Sequence, residues 1–134
     1  MRKCLSAMVA VLAASLLAAG AGSAVAADPP AAFAPYAQAA ASVAANGGVR
    51  IAKDVDQVTH PTTGRYCIHI SDPHINLARS IPTGTLNGFE AVGGSVRVLT
   101  EPASACDNDP DTAYVSVFDK EGSFKDAAFF FTLQ

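Results

Sequence analysis

The sequence lacks an excess of basic residues, and this lack argues against two common classes of partner. The chain of 134 residues has nine lysines and arginines against twelve aspartates and glutamates. Two of the basic residues, Arg2 and Lys3, lie in the segment that we expect to be removed, so seven basic and twelve acidic residues leave the mature chain a net charge of −5. Nucleic acid and anionic membranes attract basic surfaces. We therefore expect neither as a partner.

Acidic residues are also missing before Asp28, and this stretch has the parts of a secretory signal peptide. The two basic residues form a positive start, an apolar run extends from Cys4 to Ala19, and Ala24-Val25-Ala26 offers the small residues that signal peptidase accepts. The run is short for a transmembrane helix, and no charged stop-transfer cluster follows it. The sequence predicts a signal peptide over residues 1–26, with cleavage after Ala27 as the second choice, and a secreted, extracellular protein.

Two cysteines, Cys67 and Cys106, remain after processing. Export removes a chain from the reducing cytosol, so an even pair most simply forms one disulfide, with two free thiols as the alternative. Closing a loop of about 40 residues stabilises a fold by up to ~4 kcal/mol in the chain-entropy model. Oxidation of both cysteines would also remove thiolate catalysis.

A mature chain of this length makes one domain, which we expect to bury about 65% of its unfolded surface. Residues 27–40 are rich in alanine and proline and predict a leader with little structure of its own, from which Phe33 and Tyr36 could dock on the domain. Residues 41–134 form the predicted domain. No helical period is sustained after Gly47.

Short alternating segments separated by turn residues predict an all-β domain. Residues 37–45 are ambiguous, because their alanines favour a helix while Asn46-Gly47 is a strong hairpin signal, and we favour the hairpin. Further strands are predicted at residues 55–59, 66–70, 89–92, 95–99, 114–118 and 128–133. Residues 60–64 predict a turn, and the stretch around Pro82 and Gly84 predicts irregular structure. About seven strands of this kind indicate a small antiparallel β-sandwich or open barrel.

The segments Val43–Gly47 and Val55–Ile68 resemble small secreted β domains of high-GC Gram-positive (actinobacterial) bacteria, and similar modules look like those appended to collagen-like or phage-tail-like chains. The ending is similar too, with a strand at Val115–Phe118, a glycine-containing turn and an apolar strand at Ala128–Phe131. This chain differs in placing a cysteine directly after Tyr66. These proteins are largely uncharacterised, so the resemblance implies a β fold and export and carries over no catalytic residue.

No catalytic pattern stands out in the sequence. Gly-x-Ser-x-Gly is absent, and a domain of this size leaves little room for a cleft with paired carboxylates of raised pKa. We predict that the protein is not an enzyme and has no cofactor. His60, His69 and His74 are interpreted as surface and turn histidines, because a zinc site needs three or four converging ligands.

Asp107, Asp109 and Asp111 place carboxylates at alternate positions, which makes them a weak calcium candidate. The match to a calcium loop is poor, because no glycine stands at the sixth position and Phe118 occupies the position of the bidentate acid. We interpret the segment as a solvated acidic turn beside the disulfide, with weak calcium binding as the alternative.

Phe130 is the centre of the most unusual apolar segment. On a strand, Phe129 and Phe131 face one way and Phe130 the other, so Phe130 is either covered within the monomer or part of a possible interface. The predicted function is a secreted non-enzymatic binding or structural β module of unknown ligand, acting on a protein or surface ligand and forming a possible homo-oligomer. The alternative is a secreted hydrolase inhibitor that acts through the loop at residues 101–111.

Overall fold

Two antiparallel sheets make up the part of the chain that the structure, a computed structural model, describes, namely residues 28–89 and 92–134. The predicted signal peptide lies outside these residues. The strands are β1 (Ala39–Val43), β2 (Val49–Lys53), β3 (Val55–Thr62), β4 (Arg65–Ile70), β5 (Pro82–Leu86), β6 (Ser95–Leu99), β7 (Thr112–Phe118) and β8 (Phe129–Leu133). The strand order is β2-β1-β8-β5 in the first sheet and β3-β4-β7-β6 in the second. The predicted all-β sandwich is therefore confirmed.

The core lies where the inward faces of the two sheets meet. Alternate residues of a strand point to opposite faces, so each strand contributes every second side chain. The largest fully buried side chains are Tyr66, Phe129, Phe131, Ile68, Leu133, Val43, Val115 and Val117. Full burial of a side chain of this size contributes roughly 1.5–3 kcal/mol. The alternation predicted for β4, β7 and β8 is thus the pattern that fills the core.

Tyr66 connects both sheets and one end of the sandwich. Its ring centroid lies 4.9 Å from that of Phe129 in the opposite sheet, in an edge-to-face arrangement. Its hydroxyl donates a hydrogen bond to the carbonyl oxygen of Ala45 at 2.7 Å, in the turn between β1 and β2. The His60 ring stacks on it with a centroid distance of 4.6 Å. A buried tyrosine needs a partner for its hydroxyl, and here that partner fixes the turn.

The leader attaches to the domain through its backbone. The backbone N–H of residue 32 donates to the carbonyl oxygen of Ala52 in the edge strand β2 at 2.7 Å. The N–H of Ala52 donates to the carbonyl oxygen of residue 30 at 3.0 Å. The Lys53 ammonium donates to the carbonyl oxygens of residues 34 and 37. Phe33 and Tyr36 remain 97% and 95% exposed, so their rings are not what holds the leader. Covering β2 in this way protects a sheet edge that would otherwise present unpaired backbone groups.

The hairpin that Asn46-Gly47 predicts is confirmed, because β1 and β2 pair antiparallel around that turn. The turn predicted for residues 60–64 is wrong in its first part, since β3 continues through Pro61 to Thr62. Proline lacks a donor for a central ladder, but β3 is an edge strand of the second sheet, where proline is tolerated.

The irregular structure predicted around Pro82 is also wrong, because this stretch forms β5. Gly84 faces Val96 and Val98 of the other sheet so closely that an added Cβ would lie 2.5 Å and 2.9 Å from their methyl groups. The sequence pattern misses this strand because Gly84, which has no side chain, occupies one of its inward positions.

The strand predicted at residues 89–92 is not found at its ends, because Phe89 lies in a bend and Val92 lies in a turn. Residues 90 and 91 are outside the described part.

We expect Gly84→Ala to destabilise the fold by roughly 1–3 kcal/mol, because the new methyl group has to displace Val96 or Val98 from a packed core. Urea unfolding followed by circular dichroism measures this change. Thr83→Ala, which alters an exposed side chain of the same strand, is the matched control and should stay within about 0.5 kcal/mol of the original protein. Equal stabilities for the two variants would contradict the close approach of the sheets at Gly84.

Candidate binding cleft

The disulfide places a polar loop on the outer face of the second sheet. Cys67 points outward from β4 and is bonded to Cys106 with an S–S distance of 2.01 Å, which confirms the predicted pair. Ser104–Cys106 form a 3₁₀ turn, and Asp107 and Asn108 follow with left-handed backbones at φ 57° and 55°. Asp and Asn adopt this conformation more readily than other non-glycine residues. The loop at residues 101–111 is therefore coiled down onto the sheet.

A cleft of about 430 Å³ lies between this loop and β3. Its polar lining includes Gln57, Thr59, His60, Cys67, His69, Asp107 and Asp109. The disulfide and His69 form the floor, β3 provides one wall, and the acidic loop provides the other. The volume falls within the range of small-molecule sites.

His69 is held between two carboxylates at the floor of the cleft. Its Nδ1 lies 2.6 Å from Asp56 Oδ1, and its Nε2 lies 3.8 Å from Asp109 Oδ2. The hydrogen bond to Asp56 raises the pKa of His69 above its ordinary value of 6.5; partial burial opposes this, and the charges of Asp56, Asp109 and Asp111 add to it. The imidazolium form is therefore favoured around neutral pH more than in an isolated histidine.

Asp109 organises the acidic loop from within. Its carboxylate accepts hydrogen bonds from the backbone N–H of Asp111 at 3.0 Å and from the Thr112 hydroxyl at 2.8 Å. These two bonds hold the pKa of Asp109 below its usual value, with a smaller contribution from His69. Asp109 is thus an ionised carboxylate whose position in the cleft wall is fixed by its own loop.

The predicted metal candidates are not brought together. In residues 28–89 and 92–134, no group of three or more histidine, cysteine, aspartate or glutamate side chains is arranged to hold a metal ion. Asp109 is used within the loop, Asp107 lines the cleft, and His74 is 85% exposed. Weak calcium binding by Asp107, Asp109 and Asp111 remains a prediction that these contacts do not favour.

A second histidine–aspartate pair includes His60, which also lines the cleft. His60 Nε2 lies 2.9 Å from Asp126 Oδ1, and the same oxygen accepts the backbone N–H of Gly64 at 2.6 Å. Burial opposes ionisation of Asp126, but these hydrogen bonds outweigh it and hold its pKa below the usual value. Sequence reasoning missed both Asp126 and Asp56, because their partners lie 66 and 13 residues away and no local spacing signals them.

Phe130 lies on the outer face of the first sheet, where the described residues cover it only in part. It is 44% exposed, whereas Phe129 and Phe131 are fully buried, so the predicted alternation is confirmed. Ser42 and Thr85 are its cross-strand neighbours, and Ile51, itself 40% exposed, pairs with Ser42 in the same row. An exposed apolar pair therefore lies on this face.

Comparison with known proteins identified no related protein. No family model matches the chain, and no curated protein or solved structure matches it either. The resemblance to secreted actinobacterial β domains stays a prediction. Of the described segments, none forms a helix long and apolar enough to cross a membrane.

We expect Asp56→Asn to lower the pKa of His69 towards 6.5, because the amide keeps the shape of the partner and removes its charge. The native pKa of His69 is raised, so its protonation stabilises the fold below the unfolded value, and this contribution is lost as the pH rises through the native pKa. An NMR titration of the histidine ring protons measures the shift, with the His74 ring as an internal reference. An unchanged His69 titration in the variant would show that Asp56 does not hold the ring in solution.

Proposed function

We propose that the mature chain is an exported, non-enzymatic binding module whose ligand occupies the cleft on the outer face of the second sheet. The observation that carries this proposal is the cleft itself. Its floor is fixed by the bond between Cys67 and Cys106, and His69 is fixed between Asp56 and Asp109. Groups that are held in place before a ligand arrives lose little freedom on binding, which favours affinity.

Export is supported by two independent features. The first 26 residues have the charge and hydropathy pattern of a signal peptide. The mature chain contains a disulfide, and disulfides persist mainly in oxidising compartments outside the cytosol. Extracellular localisation is therefore part of the proposal.

The charges of the lining favour a ligand with a cationic group. Asp107 and Asp109 are the anionic side chains of the lining, and among the described residues no lysine or arginine lines the cleft. The charge of a protonated His69 is balanced by Asp56 and Asp109 on either side of its ring. The Asp107 carboxylate has no hydrogen-bond or ion-pair partner within the described part, so it is available to a ligand. Gln57 and Thr59 add donors and acceptors on the opposite wall. An ammonium or guanidinium group with neighbouring hydroxyl or amide groups fits this set.

The inhibitor alternative relies on the loop at residues 101–111. A loop that enters a hydrolase as an added strand has to be extended. Here the 3₁₀ turn at Ser104–Cys106 and the left-handed Asp107 and Asn108 coil the loop onto the sheet. We therefore retain ligand binding in the cleft as the proposed function.

Matched ligand pairs test the proposal by NMR on the mature, oxidised domain. We expect arginine amide to shift the backbone amides of Gln57, Thr59 and His69, and its uncharged analogue citrulline amide to shift them far less. Glucosamine and glucose form a second pair of this kind. Asp107→Asn should weaken binding of the cationic member about three- to tenfold, because it removes one charge from the wall while asparagine keeps the left-handed backbone.

Glu121→Gln is the matched control, because it removes one exposed acidic charge at the other end of the sandwich. Binding in this variant should equal that of the original protein. Equal shifts from charged and neutral probes would exclude a cationic ligand, and shifts from no probe would count against the cleft as the binding site.

We also propose that the outer face of the first sheet mediates self-association. The outward residues of the three neighbouring strands β1, β8 and β5 are uncharged. They are Ala40, Ser42, Thr83, Thr85, Phe130 and Thr132. Two copies that each carry a net charge of −5 repel, so a second copy would approach most easily through these uncharged positions of β1, β8 and β5. Phe130 provides the apolar contact at its centre.

We expect the mature domain to associate with increasing concentration in analytical ultracentrifugation and Phe130→Ser to remain a monomer. Phe33→Ser is the matched control, since it makes the same change at a 97% exposed position of the leader and should associate like the original protein. A monomer for the original protein and for both variants at high concentration would contradict self-association through this face.

A further inference from the structure

Two arginines flank a serine across three neighbouring strands of the second sheet. Arg65 of β4 pairs with Ser116 of β7, which pairs with Arg97 of β6. Directly paired residues point to the same face of a sheet. The adjacent residues Tyr66 and Val115 are buried in the core, so this row points outward. With a strand spacing of ~4.8 Å, the two arginine Cα atoms lie about 10 Å apart, which is within reach of one ligand group for two long side chains.

Neither arginine has a carboxylate partner among the described residues. The two aspartates in the connection between β7 and β8 are otherwise engaged. Asp119 accepts the backbone N–H groups of residues 121 and 123. Asp126 pairs with the ring nitrogen Nε2 of His60 and accepts the backbone N–H of Gly64. The guanidinium group stays charged at every physiological pH. Two uncompensated positive charges therefore lie side by side on an acidic protein.

The Arg65 guanidinium is held in place by aromatic rings. Its central carbon lies 4.3 Å from the ring centroid of Phe124, whose ring lies 4.8 Å from that of Phe118. Its Nε is buried and has no hydrogen-bond partner in the described residues. Because this Nε is buried, a ligand from solution would reach the guanidinium through its terminal nitrogens. The stacking on Phe124 thus orients the guanidinium group, and no carboxylate of the described residues neutralises its charge.

We infer that Arg65 and Arg97, which flank the buried Ser116, bind a carboxylate on an acidic segment of a partner protein. The planar guanidinium groups match the two oxygens of a carboxylate. Phe118 and Phe124 beside the row provide apolar contact for the neighbouring side chains of a polypeptide, and aromatic residues with arginine are the side chains enriched in protein interfaces. Arg65 and His69 are four residues apart on β4, about 13 Å, with Cys67 of the cleft floor between them. The two sites therefore adjoin on one face of the sheet and take opposite charges.

A peptide titration tests this inference on the mature, oxidised domain. The probe is acetyl-tetraglutamate amide, and acetyl-tetraglutamine amide is its uncharged counterpart. We expect saturable shifts at the amides of Arg65, Arg97 and Ser116 with the acidic peptide alone. Arg97→Met should weaken binding about tenfold or more, because a charged hydrogen bond is lost at an exposed position that the fold does not need. Arg97→Lys should recover only part of the affinity, because it restores the charge and not the planar pair of donors.

Arg50→Met is the matched control, since it removes the same charge from an exposed strand position of the first sheet and should leave the affinity within about twofold. A melting temperature of Arg97→Met equal to that of the original protein separates loss of binding from loss of fold. Equal weakening by Arg97→Met and Arg50→Met would overturn the inference in favour of general charge attraction. The same shifts with sodium sulfate at matched ionic strength would mean an adventitious ion only, and self-association that Arg97→Met abolishes would replace the partner by a second copy.

Discussion

The covalent bond between Cys67 and Cys106 is the constraint on which the proposed binding surface depends. It joins the outward face of β4 to a loop that would otherwise leave the sheet after β6, and it closes a chain segment with a sequence separation of 39 residues. Within the loop, the Asp109 carboxylate accepts hydrogen bonds from the backbone N–H of Asp111 and from the Thr112 hydroxyl, which hold the end of the loop in shape. The bond therefore acts at two levels. It limits the freedom of the unfolded chain, and it supplies one wall and the floor of the cleft.

Charged side chains are distributed unevenly over the outer surfaces of the two sheets, and the net charge of the chain does not show this distribution. The second sheet has acidic side chains and His69 at the end where β4 finishes, and two arginines at the end where β4 begins. The outward residues of β1, β8 and β5 in the first sheet are uncharged. Charged groups mainly determine which partner approaches and in what orientation, whereas apolar side chains contribute most of the contact area. A sandwich of this kind offers separate surfaces for a cation, an anion and an apolar contact.

Sequence reasoning recovered those parts of the fold that depend on local pattern. The alternation in β4, β6, β7 and β8 identifies each strand and its buried face, and the parity of the cysteines identifies the disulfide. It failed where the deciding contact is distant. The glycine at position 84 fits β5 only because Val96 and Val98 approach from the other sheet, and Pro61 remains in β3 only because β3 is an edge strand. The candidate sites are also built from residues of several strands, so no spacing between residues along the chain indicates them.

The wall of the cleft shows why strand alternation alone does not place such a site. Strict alternation from the buried Val55 would point Gln57 into the core and Val58 towards solvent. The structure has the reverse, because the register of β3 against β4 shifts between Val55 and Gln57. This β-bulge adds one residue to the strand, so Val58 packs against the core while Gln57 and Thr59 face the cleft. A single-residue slip exchanges the two faces of a strand, and bulges recur beside functional sites because they redirect side chains in this way. The same local irregularity thus completes the core and exposes the polar side chains of the proposed site.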